Sequence, residues 1–489
     1  MTANLAISSG VVFSGVVFKV SDTIYALSTP PGRGGVAVIR ASGPQSWDGA
    51  RALMAEGVEL PAPRMASTRT LWDPSSPQDP TKREKIDHAM IIVFKGPHSF
   101  TGENCVEYHV HGGMIVVQTL LSALSTRPHH RMAEPGEFTR RAFEMGKMDL
   151  TEAEAVADLI HAETEAQQRQ ALMQMEGALS ALYHDWKNRL AHILAMMEAD
   201  LDFSDQDLPD DLLIKIKPDV GDVIDEISHH LNDNRRGEML RDGVKLVVVG
   251  APNAGKSSLI NLLAQRDVAI VSPHAGTTRD VIDVHLNLNG YPVILSDTAG
   301  LRPEKLGELG EAGKTGDAAH DAIERVGIER ALSRARAADV KIILFDGASS
   351  ELDRASLELW DDSSLMVINK CDISNIDDHQ KLIKKSELGA KFITISVKEN
   401  RNIDELLAEL GKFIAAKIGL SETPSLTRAR HRESLEQAKS YLMRSMTAPL
   451  PELAAEDLRL SIRYLGRITG HVDVEDLLDM IFRDFCIGK

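Results

Sequence analysis

Residues 250–257 read Gly-Ala-Pro-Asn-Ala-Gly-Lys-Ser, a spacing that can hold a nucleoside triphosphate. The glycines let backbone N–H groups turn toward a phosphate, and the N-terminus of a following helix adds its positive dipole. Lys256 would reach the β- and γ-phosphates, and the Ser257 hydroxyl would ligate Mg²⁺. A chance glycine-rich turn is the alternative, but the flanking apolar runs 245–249 and 258–263 supply the strand and the helix that a phosphate loop requires.

Three further motifs follow in the order expected of a guanine-nucleotide site. A short apolar run leads into Asp297-Thr-Ala-Gly300, where the carboxylate can hold Mg²⁺ through water and the Gly300 amide can sense the γ-phosphate. Another leads into Asn369-Lys-Cys-Asp372, whose carboxylate accepts from guanine N1–H and the 2-amino group and would stay unpaired with adenine. A third ends at Ser396, which begins the last base-contacting loop. The motifs predict GTP contacts from Asn253, Ala254, Gly255, Lys256, Ser257, Ser258, Asp297, Thr298, Ala299, Gly300, Asn369, Lys370, Asp372 and Ser396.

The residue after the Asp297 motif is Leu301, and an alkyl side chain cannot orient a water molecule, so another group must do so. The loop 272–280 lies where the γ-phosphate switch of a GTPase belongs. Together with the amide of Asn253, the carbonyls of this loop suggest a site for a monovalent cation. Such a cation would stabilise transition-state charge as an arginine finger does.

The elements around these motifs divide the chain, whose 489 residues predict about three domains. From Leu150 the hydrophobic period is helical, beginning at a capping box from Thr151 to Glu154 and interrupted only at Gly177. Before it, apolar runs predict strands at 23–27, 36–39, 89–94 and 105–110. We therefore predict a multidomain α/β plus α protein, in which a Ras-like doubly wound P-loop domain is inserted into a long-helix bundle. Its predicted parts are an extension (1–20), an N-terminal α/β domain (21–145), a first helical part (146–241), the nucleotide domain (242–418) and a second helical part (419–489).

Composition limits the class of protein. Hydrophobic residues make up 43% and charged residues 26%, as in soluble globular proteins. Cys105, Cys371 and Cys486 form neither a disulfide framework nor a zinc spacing, which indicates a reducing cytoplasm. A net charge of −17 argues against a nonspecific nucleic-acid coat but permits a local basic surface. No run reaches the ~18 apolar residues of a membrane span, so we expect no membrane association.

Six stretches carry a resemblance to a known family: 29–36, 99–103, 135–138, 252–257, 275–280 and, above all, the terminal Phe-Cys-Ile-Gly-Lys of 485–489. By these stretches, and along essentially its whole length after residue 20, the chain resembles the bacterial tRNA-modification GTPases of the MnmE or TrmE family. The resemblance implies a homodimer that joins an FAD-dependent partner of the MnmG or GidA type in a heterotetramer. This assembly would add an aminomethyl or carboxymethylaminomethyl group to carbon 5 of the wobble uridine of certain tRNAs, and GTP hydrolysis would be needed.

The resemblance also implies that the N-terminal domain binds a one-carbon tetrahydrofolate, in the 5-formyl or methylene form, and drives dimerisation. The matching positions are Arg40, Glu103, Lys147 and Lys489. These residue types suit folate, because its glutamate tail needs cations and its pterin ring needs a carboxylate partner. Taken alone, each of them would be read as a solvated surface charge.

By the same resemblance, K⁺ is held by Asn253, Ser272, His274 and Thr277, Mg²⁺ is held by Ser257 and Thr278, and GTP also contacts Ser272, Thr277 and Thr278. Glu324 matches the family's catalytic glutamate and would orient the attacking water, while Lys256 holds the phosphates. The chain departs from the family at residues 303–321, where a longer loop rich in Gly, Glu, Lys and Asp precedes Glu324.

Cys486 lies close to the chain's last residue and, by the resemblance, close to the folate site. Its thiol could act as nucleophile or acid on carbon 6 of uridine, and a packing role is the alternative. For the whole chain, the alternative is a GTPase switch that acts as a ribosome or RNA assembly factor without chemistry on RNA. The N-terminal domain and the terminal Cys-Ile-Gly-Lys favour the RNA-modifying enzyme, because an assembly factor would more often carry a basic RNA-binding domain.

Overall fold

The computed structural model describes residues 12–13, 16–17, 22–75, 84–202, 212–266, 268–270, 283–296, 334–373, 391–419, 424–472, 475–483 and 485–488. Its residues divide into two compact units. The first unit contains Met1–Ala157, Gln174–Val220 and Gln437–Lys489, and the second contains Asp158–Met173 and Gly221–Glu436. The finer domain limits given above stay a prediction.

The first unit is built on a six-stranded sheet of order β5-β6-β7-β4-β3-β8, in which all neighbours are antiparallel except β3 and β8. Four of the strands, β3, β4, β6 and β7, include the runs predicted from the sequence. The sequence analysis missed β5, in which Leu71 alone is buried, and the three-residue β8. The strands are β3 (Thr23–Leu27), β4 (Val36–Ser42), β5 (Ser67–Trp72), β6 (Lys85–Phe94), β7 (Cys105–His111) and β8 (His130–Met132); before them β1 (Val12–Phe13) pairs with β2 (Val16–Val17).

The helices within the described ranges follow the same chain order. None of them is long and apolar enough to cross a membrane. They are α1 (Ser46–Ala52), α2 (Met114–Ser125), α3 (Glu137–Glu144), α4 (Leu150–His161), α5 (Glu165–Met175), α6 (Ala178–Asp202), α7 (Leu212–Leu231), α8 (Arg236–Asp242), α9 (Lys256–Ala264), α10 (Arg354–Leu357), α11 (Ile403–Ile418), α12 (Ala429–Thr447), α13 (Pro451–Thr469) and α14 (Glu475–Arg483).

The two faces of the first sheet differ because side chains alternate along each strand. On β4, Ile39 and Ala41 join an apolar cluster that includes buried residues of α2 and the end of α1. Arg40 and Ser42 alternate with them and therefore point to the opposite face. There Phe138 of α3 packs with Ile24 of β3 in a smaller apolar cluster, beside polar side chains of β4 and β7. The sheet thus has one dry face and one face that carries charge.

The first unit also contains the long helix α6, which packs against α13. Its buried side chains recur at three- and four-residue spacing, as the helical period predicted, although Tyr183 is buried where the pattern predicted Leu182. The predicted capping box was wrong by two residues. Asp149 accepts at Oδ1 from the Glu152 backbone N–H, and Glu152 Oε2 accepts from the Asp149 N–H, so the box precedes Leu150. Thr151 and Glu154 are instead buried on α4.

The second unit is built on a six-stranded sheet of order β10-β11-β9-β12-β13-β14, in which only the pair β10 and β11 is antiparallel. On the central strand, Leu246 and Val248 enter one apolar cluster while Val247 and Val249 enter another. Burial on both faces explains the uninterrupted apolar run in the sequence. The strands are β9 (Val244–Val249), β10 (Asp283–Leu288), β11 (Tyr291–Ser296), β12 (Val340–Asp346), β13 (Ser364–Asn369) and β14 (Phe392–Thr394).

We predict that Leu246→Ala destabilises the second unit by about 2–5 kcal/mol, because it leaves a cavity in the middle of a buried strand. Lys245→Ala is the matched control, since this neighbour is exposed on the same strand and its loss should cost less than about 0.5 kcal/mol. Hydrogen–deuterium exchange of peptides from β9 and β12 measures the difference. Equal protection in the two variants would contradict the assignment of this core.

Candidate functional site

The phosphate loop connects β9 to α9. Gly255 has φ of 101° and Asn253 has φ of 63°, so both residues occupy left-handed backbone conformations. A Cβ on Gly255 would lie 2.3 Å from Asn369 Nδ2, and one on Gly250 would lie 2.2 Å from the Leu344 carbonyl oxygen. Backbone conformation and close packing therefore both require glycine at 255, and close packing alone requires it at 250.

Lys256 is the first residue of α9, and its side chain folds back over the loop. Its Nζ donates to the carbonyl oxygens of Gly250 and Ala251, both at 2.9 Å. The ammonium thus lies inside the turn, on the side of the loop's own backbone. Ser257 and Ser258 follow in the first turn of α9, where the helix dipole favours an anion. This arrangement fits the triphosphate and the Mg²⁺ that the sequence motif implies.

Asn369, the last residue of β13, ties the phosphate loop to the loop that follows β14. Its Nδ2 donates to the Ala254 carbonyl oxygen at 2.9 Å, and its Oδ1 accepts from the Val397 backbone N–H at 3.1 Å. The side chain is buried, so both hydrogen bonds form away from solvent. The amide therefore fixes the distance between the end that would hold phosphates and the end that would hold a base.

Asp372 and Ser396 meet at the proposed base site. Ser396 Oγ donates to Asp372 Oδ1 at 2.7 Å, and this hydrogen bond is the main reason that the pKa of Asp372 lies below its usual range. The carboxylate is therefore charged at neutral pH and can accept from guanine. Lys370 Nζ pairs with Asp346 Oδ2 at 2.6 Å. The sequence analysis missed Asp346, although it ends the strand next to β13, where the carboxyl ends of parallel strands meet.

The predicted switch residues lie outside the described ranges: Ser272, His274, Thr277, Thr278, Asp297, Thr298, Ala299, Gly300 and Glu324, together with Lys489 at the chain end. The hairpin between the two switch segments is described. Asp283, which begins β10, pairs with Ser296, which ends β11, and Ser296 Oγ donates to Asp283 Oδ1 at 2.8 Å. Because β11 is parallel to β9, the chain enters and leaves this hairpin at the sheet edge that carries the phosphate loop.

The described residues contain no group of three or more His, Cys, Asp or Glu side chains that could hold a metal ion. The predicted Mg²⁺ and K⁺ ligands that can be located, Ser257 and Asn253, are a hydroxyl and an amide. Oxygen donors of this kind suit these hard cations, with the remaining ligands coming from the nucleotide and the switch segments.

In the first unit, Arg40 lies on the charged face of the sheet. Its Nε and Nη2 donate to Glu107 Oε1 of β7 at 3.1 and 2.9 Å. The guanidinium carbon lies 5.3 Å from the ring centroid of Phe100 and 5.8 Å from that of Phe138. Two aromatic faces and one carboxylate thus fix the orientation of Arg40. Glu107, which sequence reasoning missed, is its direct cross-strand partner.

Glu103 lies beside this group and is largely buried. Ser42 Oγ donates to Glu103 Oε2 at 2.7 Å, and Arg141 Nη1 lies 3.3 Å from both carboxylate oxygens. Burial raises the pKa of Glu103 above its usual value, although the nearby Arg141 charge acts in the opposite direction. Lys147 is exposed, and its Nζ donates to the Pro97 carbonyl oxygen at 3.0 Å.

The C-terminal residues 485–488 dock through their backbone. The Gly488 carbonyl oxygen accepts from Ser28 Oγ at 3.1 Å, and Ile487 forms a β-bridge with Pro135. Gly488 has φ of 95°, and a Cβ there would lie 2.1 Å from the Leu27 carbonyl oxygen. Cys486 is exposed. The structure thus brings the segment that carries the thiol to the end of β3, the strand next to the one that carries Arg40.

We predict that Asn369→Ala weakens GTP binding about 10- to 100-fold, because the carbonyl of Ala254 and the N–H of Val397 lose a buried partner, at about 1–3 kcal/mol. Lys391→Ala, which removes an exposed ion pair before β14, is the control and should bind as wild type does. Titration with a fluorescent guanine nucleotide compares the variants. Unchanged affinity in Asn369→Ala would show that the amide does not couple the two loops.

Comparison with known proteins agrees with this geometry. A family model described as "GTP-binding protein TrmE N-terminus" matches residues 23–147, and one described as "MnmE helical domain" matches residues 150–486. The protein named tRNA modification GTPase MnmE from Parvibaculum lavamentivorans is 49% identical over 473 residues, covering 96% of this chain and 100% of that protein. Proteins of the same name are 46% identical in Paramagnetospirillum magneticum, with coverage of 96% and 100%, and 44% identical in Rhodospirillum rubrum, with coverage of 96% and 99%. The chain therefore belongs to the MnmE, or TrmE, family of tRNA modification GTPases.

Proposed function

We propose that this GTPase, together with a flavin-dependent partner, modifies carbon 5 of the wobble uridine of certain tRNAs. The added group would be of the aminomethyl or carboxymethylaminomethyl type, and its carbon would come from a one-carbon tetrahydrofolate. The observation that supports this proposal is the docking of residues 485–488, with the exposed Cys486, at the end of the strand beside β4. The segment that carries the Cys486 thiol therefore docks at the end of the strand that pairs with the strand carrying Arg40.

The charged face and the loops beside it offer an acceptor and cations of the kinds that suit a folate. A pterin ring presents adjacent N–H donors, which the buried carboxylate of Glu103 can accept. The glutamate tail is anionic, and Lys147 on the exposed side of the same loop region can approach it, with Lys489 as the second cation. Arg40 is already paired with Glu107, so its role would be to present its remaining N–H donors in a fixed orientation.

In the GTPase cycle, Lys256 and Ser257 would hold the phosphates and Mg²⁺, and Asp372 would select guanine. Thr278 would complete the Mg²⁺ site, and Glu324 would orient the water that Leu301 cannot orient. A K⁺ ion bound by Asn253, Ser272, His274 and Thr277 would supply positive charge to the transition state. Asn253 lies within the phosphate loop and has a left-handed backbone conformation, which supports a special role for this residue in the loop.

The assembly that we propose is a homodimer whose nucleotide domains meet across K⁺, joined by an FAD-dependent partner into a cytoplasmic heterotetramer that binds tRNA. FAD would be carried by that partner. The Cys486 thiol would serve as nucleophile toward carbon 6 of uridine or as an acid, and its exposure is compatible with both. If Cys486 only packs, its replacement by serine would leave the modification intact.

We predict that replacing K⁺ by Na⁺ slows GTP hydrolysis by at least about tenfold, because a site of amide and carbonyl oxygens distinguishes the two ions by coordination. Asn253→Ala should be slow in both salts, since it lacks the amide ligand. Steady-state phosphate release at constant ionic strength measures the rates. Equal wild-type rates in K⁺ and Na⁺ would remove the cation from the mechanism.

We predict that cells lacking this protein lose a 5-substituted wobble uridine, and that wild type restores it while Lys256→Ala does not. Mass spectrometry of tRNA nucleosides measures the modification. Cys486→Ser tests the terminal thiol: loss of the nucleoside while GTP hydrolysis stays at the wild-type rate would show that the thiol takes part. An unchanged nucleoside profile in the deleted strain would instead favour a ribosome or RNA assembly factor.

A further inference from the structure

We propose that Arg141 is a positioning residue of the N-terminal site, whose buried guanidinium holds Glu103 as a charged acceptor for the N–H donors of a bound pterin ring. This inference rests on the proposed folate function of that site. Arg141 itself does not face the ligand. It acts through Glu103, and it lies in α3 at a position that no motif of the sequence distinguishes.

The guanidinium of Arg141 is almost completely enclosed, with a side-chain exposure of 5%. Nη1 lies 3.3 Å from both oxygens of Glu103 and donates to the Asp22 carbonyl oxygen at 3.0 Å. Nη2 donates to Asp22 Oδ1 at 2.9 Å and to Glu137 Oε1 at 3.0 Å. One cation thus contacts three carboxylates that come from three separate parts of the chain.

A second arginine, Arg131, contacts two of the carboxylates that Arg141 contacts. Arg131 donates to Glu137 at 2.8 and 2.5 Å and to Asp22 Oδ2 at 2.5 Å. Charges therefore alternate from Arg131 through Glu137 and Asp22 to Arg141 and then Glu103. Arg131, Glu137 and Asp22 keep Arg141 in place, so the guanidinium is preorganised toward Glu103.

The charge of Glu103 depends on this arrangement because the carboxyl group is buried. Desolvation raises the pKa of Glu103, the Arg141 charge and the Ser42 hydroxyl lower it, and the Asp22 charge raises it again. The hydroxyl of Thr101 and the thiol of Cys105 also contact Ser42, and neither group is a cation that could replace Arg141. Without Arg141, a larger fraction of Glu103 is protonated at neutral pH.

The contacts of Glu103 with Ser42 and Arg141 also determine which of its oxygens can accept a hydrogen bond from a ligand. Oε2 accepts from Ser42 Oγ at 2.7 Å and from Arg141 Nη1 at 3.3 Å, whereas Oε1 contacts only Arg141 Nη1, at 3.3 Å, among the described side chains. A carboxylate has about four lone-pair positions, so Oε1 keeps one for an incoming N–H. A protonated Glu103 would donate there instead and would meet the ring N–H with a hydrogen. Glu103 can therefore accept from the ring N–H only while it is ionised.

We predict that Arg141→Gln weakens binding of 5-formyltetrahydrofolate to the full-length protein about tenfold or more at neutral pH, since an uncompensated buried carboxylate takes up a proton. The pH below which binding is lost should shift upward, because the folded-state pKa of Glu103 rises further. Arg141→Lys keeps the buried charge and should restore the pH profile while affinity stays below wild type. Isothermal titration calorimetry across about pH 5.5 to 8.5 measures both quantities.

The matched control is Arg140→Gln, the neighbouring arginine on α3, which pairs with Glu144 and Asp479 at a partly exposed position. It should bind the folate with the affinity and pH profile of wild type. Wild-type affinity and an unshifted profile in Arg141→Gln would overturn the inference and leave the folate site intact. If Arg141→Gln does not fold, Arg141→Lys is the test. Wild-type affinity together with a wild-type pH profile in Arg141→Lys would then overturn the inference.

A failure of the proposed function can be recognised separately. If the wild type binds no 5-formyltetrahydrofolate, the folate site itself is wrong. Infrared difference spectra of wild type against Glu103→Gln then report whether Glu103 is ionised without any ligand. A carboxylate band in wild type that becomes a protonated carboxyl band in Arg141→Gln would support the control of Glu103 by Arg141. An ionised Glu103 in both proteins would contradict it.

Discussion

The nucleotide site depends on the parallel arrangement of the sheet in the second unit. Because β9, β12 and β13 are parallel, their carboxyl ends lie at one edge of the sheet. The described residues that are predicted to contact the nucleotide lie at these ends, or in the loops and the helix that follow β9, β13 and β14. The buried amide of Asn369 then joins two of the loops through hydrogen bonds at both of its ends. The packing of these strands in the hydrophobic core therefore fixes the positions of the loops, since any shift of a strand would move the loop at its end.

The first unit holds a group of buried and partly buried charges beside its sheet. Each buried charge in this group has a partner of opposite sign. Arg131 pairs with Asp22 and Glu137, and Arg141 pairs with Asp22, Glu137 and Glu103. The pKa values of Asp22 and Glu137 are lowered: burial would raise them, but hydrogen bonds from Arg131 and the charge of Arg141 prevail. The stability that these two carboxylates contribute is therefore present above their ordinary pKa values and is lost as the pH falls through the lowered ones. Glu103 is the exception, because burial raises its pKa, and it is the carboxylate that we propose as the acceptor for the ligand.

Local patterns were predictable from the sequence, and long-range pairs were not. The family resemblance was confirmed, and the apolar runs around the phosphate loop are the strands and helix that they predicted, because burial on both sides leaves an unbroken hydrophobic run. Arg141 escaped notice because its partner Glu103 is 38 positions away and its neighbour Arg140 is an ordinary surface arginine. Asp346 was missed for the same reason, since its partner Lys370 comes from the next strand. The site assignments that lie in the switch segments stay predictions.

The docking of Gly488 on Ser28 has a consequence for the biogenesis of the protein. The two residues are 460 positions apart, so β3 is synthesised long before the segment that docks at its end. During translation the end of β3 must stay uncovered until residues 485–488 leave the ribosome, and by then the whole second unit has been synthesised. A chain cut between Glu436 and Phe485 would therefore keep every residue of the second unit and lack the segment that docks at β3.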